Sequence, residues 1–179
     1  NIEKIIKRAN EYKIIVIIDE AYGDYMSQKD SAISLVGRYD NLVVIKSASK
    51  YFGLPNHRIG YLFADKELIK IYNEISIPFP FSDLSANLFV SILKDHDKLD
   101  KTKAKVVEVK KKILKELEKE NYLYTDLTTP IFTVKTNKNQ NLTNELRRKG
   151  IISESCNTFI NLDSNYARIR ISKEYERLI

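Results

Sequence analysis

Apolar positions in the first half of the chain switch repeatedly between two periods. Ile2, Ile5, Ile6 and Ala9 recur at spacings of three and four, so "IEKIIKRANEY" predicts an amphipathic helix. "KIIVIIDEAY" is instead a continuous β-branched run ending in acidic residues, which predicts a strand buried on both faces. "NLVVIKSAS" predicts a second such strand, "RIGYLFAD" a third and "KELIKIYNEI" a helix. Short buried strands alternating with helices predict an α/β sheet. Pro78 and Pro80 then break regular structure, and Ser82 or Asp83 is placed to cap a helix over "LSANLFVSILKD".

The character changes further on. In "KLDKTKAKVVEVKKKILKELEKE" the residues Val106, Val109, Ile113 and Leu117 keep helical spacing, with Lys and Glu on the other faces. That predicts a long surface helix with a solvated side. "TTPIFTVKT" predicts a strand, "NLTNELRRKG" a helix closed by Gly150, and "IISESC" and "YARIRIS" two more strands. A boundary is expected near residue 97, giving segments 1–96 and 97–179, the second a smaller α+β unit.

Composition narrows the classes. The longest apolar run, Ile14 to Ile18, is far too short to span a bilayer, so no membrane partner is expected. No secretory signal pattern opens the chain, and the single cysteine, Cys156, excludes an internal disulfide, so a reducing cytoplasm is expected. Cys156 reads as a small filler. His57 and His96 lack metal-ligand spacing, and no metal site is expected. The net charge of +6 raises the question of nucleic acid. Much of that excess lies on the long helix without interleaved aromatics, so no nucleic-acid partner is expected.

In open α/β sheets ligands gather at the carboxyl ends of strands. Two such ends are rich in chemistry: "IIDEAYGDY" with Asp19 and Tyr22, and "IKSASKYFGLPNHR" with Ser47, Ser49, Lys50 and Arg58. Singly, Asp19 and Glu20 read as solvated turn residues, Tyr22 as a core aromatic and Lys50 as a surface lysine. Jointly they match what a pyridoxal phosphate site needs. A lysine forms the Schiff base, and a carboxylate keeps the pyridine nitrogen protonated. A phenol meets the ring oxygen, while hydroxyls and a guanidinium hold the phosphate.

"DEAYGDY", "NLVVIKSASKYFGLPNHRIGYL" and the late "NYARIRIS" resemble the class I/II aminotransferases of PLP fold type I, in the histidinol-phosphate aminotransferase-like branch. The resemblance covers nearly the whole chain and is most specific between Ile14 and Leu62. It implies the C-terminal part of a large domain with a mostly parallel sheet, followed by a small domain. It further implies that Asp19 faces the pyridine nitrogen, Tyr22 the ring oxygen, and Lys50 carries the cofactor. Ser47 and Arg58 would bind its phosphate, with Ser49 beside them. Arg168 and Arg170 share one face of a strand, so spacing does not choose between them; the resemblance assigns the substrate α-carboxylate to Arg168.

The implied activity is transfer of an amino group between an amino acid, or a derived and phosphorylated amine, and a 2-oxo acid. The implied assembly is a homodimer of the full-length protein. A decarboxylase of the threonine-phosphate type would use the same cofactor residues, and an incomplete chain would be inactive. Departures bear on the substrate: Asn56 and His57 stand where glycine and leucine are common, "TTPIF" replaces an Ala-Asn-Phe sequence, and Ser172 replaces a glycine. His57 reads as a loop histidine with no partner. The chain starts at Asn1 inside a helical pattern and stops at "KEYERLI", another such pattern. The family's phosphate-cradling helix start, ring-stacking aromatic and dimer-crossing residues are not found in it. The expectation is a fragment, the C-terminal half of such an enzyme.

Overall fold

The computed structural model describes residues 1–138 and 140–171. The chain divides into two compact units, Asn1–Asp97 and Lys98–Ile179. In the first, helix α1 (Ile2–Glu11) precedes strand β1 (Val16–Asp19), and β2 (Leu42–Ser47) runs parallel to β1 with Asp19 beside Ile45. β3 (Gly60–Ala64) lies on the other side of β2 and runs antiparallel, Ser47 facing Gly60. The sheet is therefore mixed rather than mostly parallel. The loop 48–59 joins β2 to β3 without a crossover helix, and only a crossover would let the chain return in the same direction.

Ile6 of α1 packs with Ala32, Leu35, Leu42 and Val44, and Val16 and Ile18 lie against this cluster. The opposite side of β1 is open, with Ile17 65% exposed. Burial on both faces, expected from the β-branched run, is thus not met: no layer covers Ile17 among the described residues. Asn41 fixes the entry to β2 by donating from its side-chain amide to the carbonyls of Ile6 (3.2 Å) and Ile14 (3.0 Å). Helix α2 (Lys66–Ile75) is capped by Asp65, which accepts from the Glu67 N–H, and α3 (Asp83–Leu93) by Ser82, which accepts from the Ser85 N–H. Each cap supplies an acceptor to a donor the helix itself leaves orphaned.

The second unit is built on the long helix α4 (His96–Glu116), which starts just before the boundary. It contains β4 (Ile131–Lys135), α5 (Leu142–Arg148), β5 (Glu154–Ser155) and β6 (Tyr166–Arg170). The antiparallel sheet has the order β4-β6-β5. Val109 and Ile113 of α4 meet Phe132, Val134, Ala167 and Ile169 from the sheet. "IISESC" forms only a two-residue strand. The long helix also departs from its expected pattern, because Lys110 is fully buried among the apolar positions. Gly150 ends α5 with φ +77°, a conformation a side chain disfavours. Ser172 lies outside the described residues.

Candidate functional site

The mixed sheet of the first unit brings three chain segments to one edge. β1 and β2, being parallel and in register, both end there, and β3 begins there. Asp19 closes β1, Ser47 closes β2, and Arg58 stands two residues before Gly60. Asp19 is exposed, and its Oδ1 accepts the Ala21 N–H at 2.8 Å, so the carboxylate is held by the turn that follows it. Tyr22 is half-buried, its ring 6.3 Å from that of Tyr25. The Lys50 ammonium lies over the Tyr22 ring, 5.5 Å from its centroid, a distance at which the π face still attracts a cation.

Ser47 Oγ accepts the Ser49 N–H at 3.1 Å, closing the tight turn that carries Ser49 and Lys50. Both of those residues are half-buried. Arg58 is exposed, has a left-handed backbone with φ 52°, and donates from its guanidinium to the Pro55 carbonyl at 3.1 Å. A non-glycine residue there is uncommon and marks a backbone held by its surroundings. His57 is not partnerless as expected: its Nδ1 lies 2.9 Å from Ser85 Oγ, joining the loop to the start of α3. Arg168 belongs to the second unit, where it is half-buried and ion-paired with Glu154, its neighbour across β5 and β6.

Beneath this edge lies a buried charge network, and Glu20, expected as a solvated turn residue, belongs to it with 7% exposure. Lys46 Nζ is 2.9 Å from Asp24 Oδ1 and 3.6 Å from Glu20 Oε2, with both ends of each pair largely buried. Glu20 also accepts from Ser31 Oγ at 2.6 Å and from the Ala32 N–H at 2.7 Å. The Tyr61 hydroxyl donates to Asp24 Oδ2 at 3.1 Å; burial and then the Asp24 carboxylate raise that phenol well above its usual range. Gly23 is required by the closeness of Glu20: a Cβ there would stand 2.7 Å from the Glu20 Cβ. The available signal was alternation along β2, where Leu42, Val44 and Lys46 share the inward face.

Among the described residues no group of three or more His, Cys, Asp or Glu is placed to hold a metal, and no helix is long and apolar enough to cross a membrane. Cys156 is buried, and burial raises its thiol pKa.

Residues 1–178 match the family "Aminotransferase class I and II". The chain belongs to that family. A histidinol-phosphate aminotransferase of Flavobacterium johnsoniae is 30% identical over 158 residues, covering 87% of this chain and 45% of the relative. The histidinol-phosphate aminotransferase structure from Clostridium acetobutylicum superposes with TM-score 0.83 at 23% identity, covering 98% of this chain and 54% of the other. That of the Sinorhizobium meliloti histidinol-phosphate aminotransferase, solved in complex with pyridoxal-5'-phosphate, gives 0.81 at 19% identity, covering 98% and 49%. At these identities the two structures establish a shared fold. The chain spans about half the length of the curated relatives it matches.

Proposed function

We propose that this chain carries the cofactor-bearing lysine and phosphate ligands of a pyridoxal phosphate-dependent aminotransferase. The observation that carries the proposal is the single sheet edge to which Asp19, Tyr22, Ser47, Ser49, Lys50 and Arg58 are delivered by two parallel strand ends and one antiparallel start. The donor set fits the group: one amine, one carboxylate, one phenol, two hydroxyls and one guanidinium. When bound, the cofactor supplies an aldehyde that condenses with amines and a ring that withdraws electrons.

Each residue then has a task in this reading. Lys50 Nζ would be the amine that carries the cofactor and the base that moves the proton at the substrate's α-carbon. Asp19 would keep the pyridine nitrogen protonated, and Tyr22 would donate to the ring oxygen. Ser47, Ser49 and Arg58 hold the phosphate, with Arg58 contributing charge and fork geometry together. Arg168 takes the substrate carboxylate, for which it must exchange its Glu154 partner. The first unit is then part of the cofactor domain, and the second the small domain. A homodimeric, cytoplasmic full-length enzyme completes the proposal, with histidinol phosphate, named in the relatives, as the first amino donor to test.

Borohydride trapping tests the proposal. The chain is incubated with pyridoxal phosphate, reduced and digested, and the label is located by mass. Selective labelling of Lys50 is the expected result; a label scattered over surface lysines counts against it. In the full-length enzyme, Asp19→Ala is expected to keep that label while losing most turnover, and equal turnover would sink the assigned role of Asp19. Product analysis of the same preparation separates the two chemistries: a 2-oxo acid supports transamination, and carbon dioxide supports the decarboxylase.

A further inference from the structure

The proposed cup stands on turns, and a turn fixes a side chain only as firmly as its own backbone is fixed. The β1–β2 ladder ends at the edge of the sheet, its last bond running from the Glu20 N–H to the Ile45 carbonyl at 2.8 Å. Lys50 lies well past that point. Two side-chain ties from the turn Gly23–Tyr25 carry the connection onward. The Asp24 carboxylate holds Lys46 Nζ at 2.9 Å, just before Ser47. The Tyr25 hydroxyl donates to the main-chain carbonyl of Lys50 itself, at 3.2 Å.

We infer that Asp24 and Tyr25 are positioning residues for Lys50, bracing the turn after β2 against the turn after β1, on the reading that Lys50 carries the cofactor. Tyr25 is only 5% exposed, and its ring meets that of Tyr51 edge-on with centroids 4.9 Å apart, so its hydroxyl has little freedom to leave the Lys50 carbonyl. Asp24 is fixed from a second side by the Tyr61 hydroxyl, which belongs to β3. The brace thus gathers all three strands of the edge. It acts on the first atom of the lysine's reach, its backbone, while the Tyr22 ring receives the far end. Gly23 lets the turn lie close against Glu20, which brings Asp24 and Tyr25 to their partners.

Tyr25→Phe removes the hydroxyl and keeps the ring packing; Asp24→Asn removes the charge and keeps the shape. Two readouts apply to the full chain: hydrogen exchange of residues 48–53 without cofactor, and the share of borohydride-trapped label on Lys50. Tyr25→Phe is expected to speed exchange in that segment about fivefold, the factor one such hydrogen bond supplies, with a thermal midpoint lowered by only about 2–4 °C. The Lys50 share of label is expected to fall by a similar factor. Asp24→Asn is expected to move both readouts in the same direction. If wild-type label is selective for Lys50 while both variants leave exchange and selectivity untouched, the brace is overturned. Scattered wild-type label counts against the cofactor reading instead. Exchange alone then decides: faster exchange in Tyr25→Phe supports the brace, and unchanged exchange overturns it.

Discussion

Among the described residues each unit buries one lysine, and the two are satisfied in different ways. Lys46 faces the carboxylates of Glu20 and Asp24. Lys110 faces neutral oxygens close by: Thr125 Oγ1 at 2.6 Å, the Asp126 carbonyl at 2.5 Å, the Thr129 carbonyl at 2.7 Å and the Ile131 carbonyl at 3.4 Å. An ammonium has three protons to donate, so the three shorter contacts take them. In the first case charge answers charge, and three chain segments are bound into one network. In the second, dipoles answer charge, and the lysine pins the loop that leads into β4. Burial, opposed by the Asp126 carboxylate, lowers the Lys110 ammonium to about 8.

The comparison breaks most visibly at Lys46. Lys46→Met leaves two buried carboxylates facing one another without a cation, and is expected to destabilise the first unit by about 4 kcal/mol, the usual result of removing one member of a buried pair. Denaturant unfolding measures it. Adding Glu20→Gln should recover part of the loss; no recovery would mean that the carboxylates do not depend on Lys46.

Lys110→Met is expected to cost about 2–3 kcal/mol, because the methionine fills the volume but leaves the loop carbonyls without donors. Its pH dependence sharpens the contrast. The folded group titrates at about 8 against 10.5 for the ordinary value. Between those values the unfolded chain binds more protons than the folded one, so stability rises with pH. The margin of wild type over Lys110→Met should therefore widen by about 2 kcal/mol between pH 8 and 10. A margin that stays flat would show that the buried ammonium does not titrate there.

Gly23→Ala comes next, at about 2 kcal/mol, because the new methyl meets the Glu20 side chain in a closely packed turn. Thermal unfolding reads the loss. Hydrogen exchange should place it in the Glu20–Tyr25 turn; a loss spread evenly over both units would contradict the local clash.

Much of this architecture was written in periodicity. α1 lies where the three-and-four spacing of Ile2, Ile5 and Ile6 predicts, α2 falls on "KELIKIYNEI" and β2 on its apolar run. Strand direction was not legible, since nothing in "SASKYFGLPNHRIGY" states whether β3 will return parallel or antiparallel; loop length and the missing crossover decide that. Burial of β1 was misjudged because β-branched composition reports strand propensity, whereas the exposure of Ile17 depends on what else lies over the sheet. Both buried lysines escaped for one reason. Lysine is ordinarily a surface residue, and the partners of Lys46 and Lys110 are distant in sequence or are backbone atoms. The motif residues at the site edge were visible as residue types at strand ends. The Tyr25 hydroxyl on the Lys50 carbonyl was not, because it joins a side chain to a backbone atom across two turns.

Arg168 and Glu154 extend the comparison to its weak end. Their side chains are 38% and 57% exposed, so solvent screens the pair. Glu154→Gln is expected to change stability by less than about 0.5 kcal/mol. The consequence for binding is larger than that for folding. If Arg168 receives the substrate carboxylate, Glu154 competes with the substrate for the guanidinium, and Glu154→Gln in the full-length enzyme should lower KM for the amino substrate while leaving kcat nearly unchanged. A raised KM would instead make Glu154 the residue that orients Arg168, and an unchanged one would remove Arg168 from the substrate site. The buried lysine of the first unit is held by charges it cannot leave, whereas this exposed arginine is held by one it can exchange, and exchange is what a carboxylate-binding group requires.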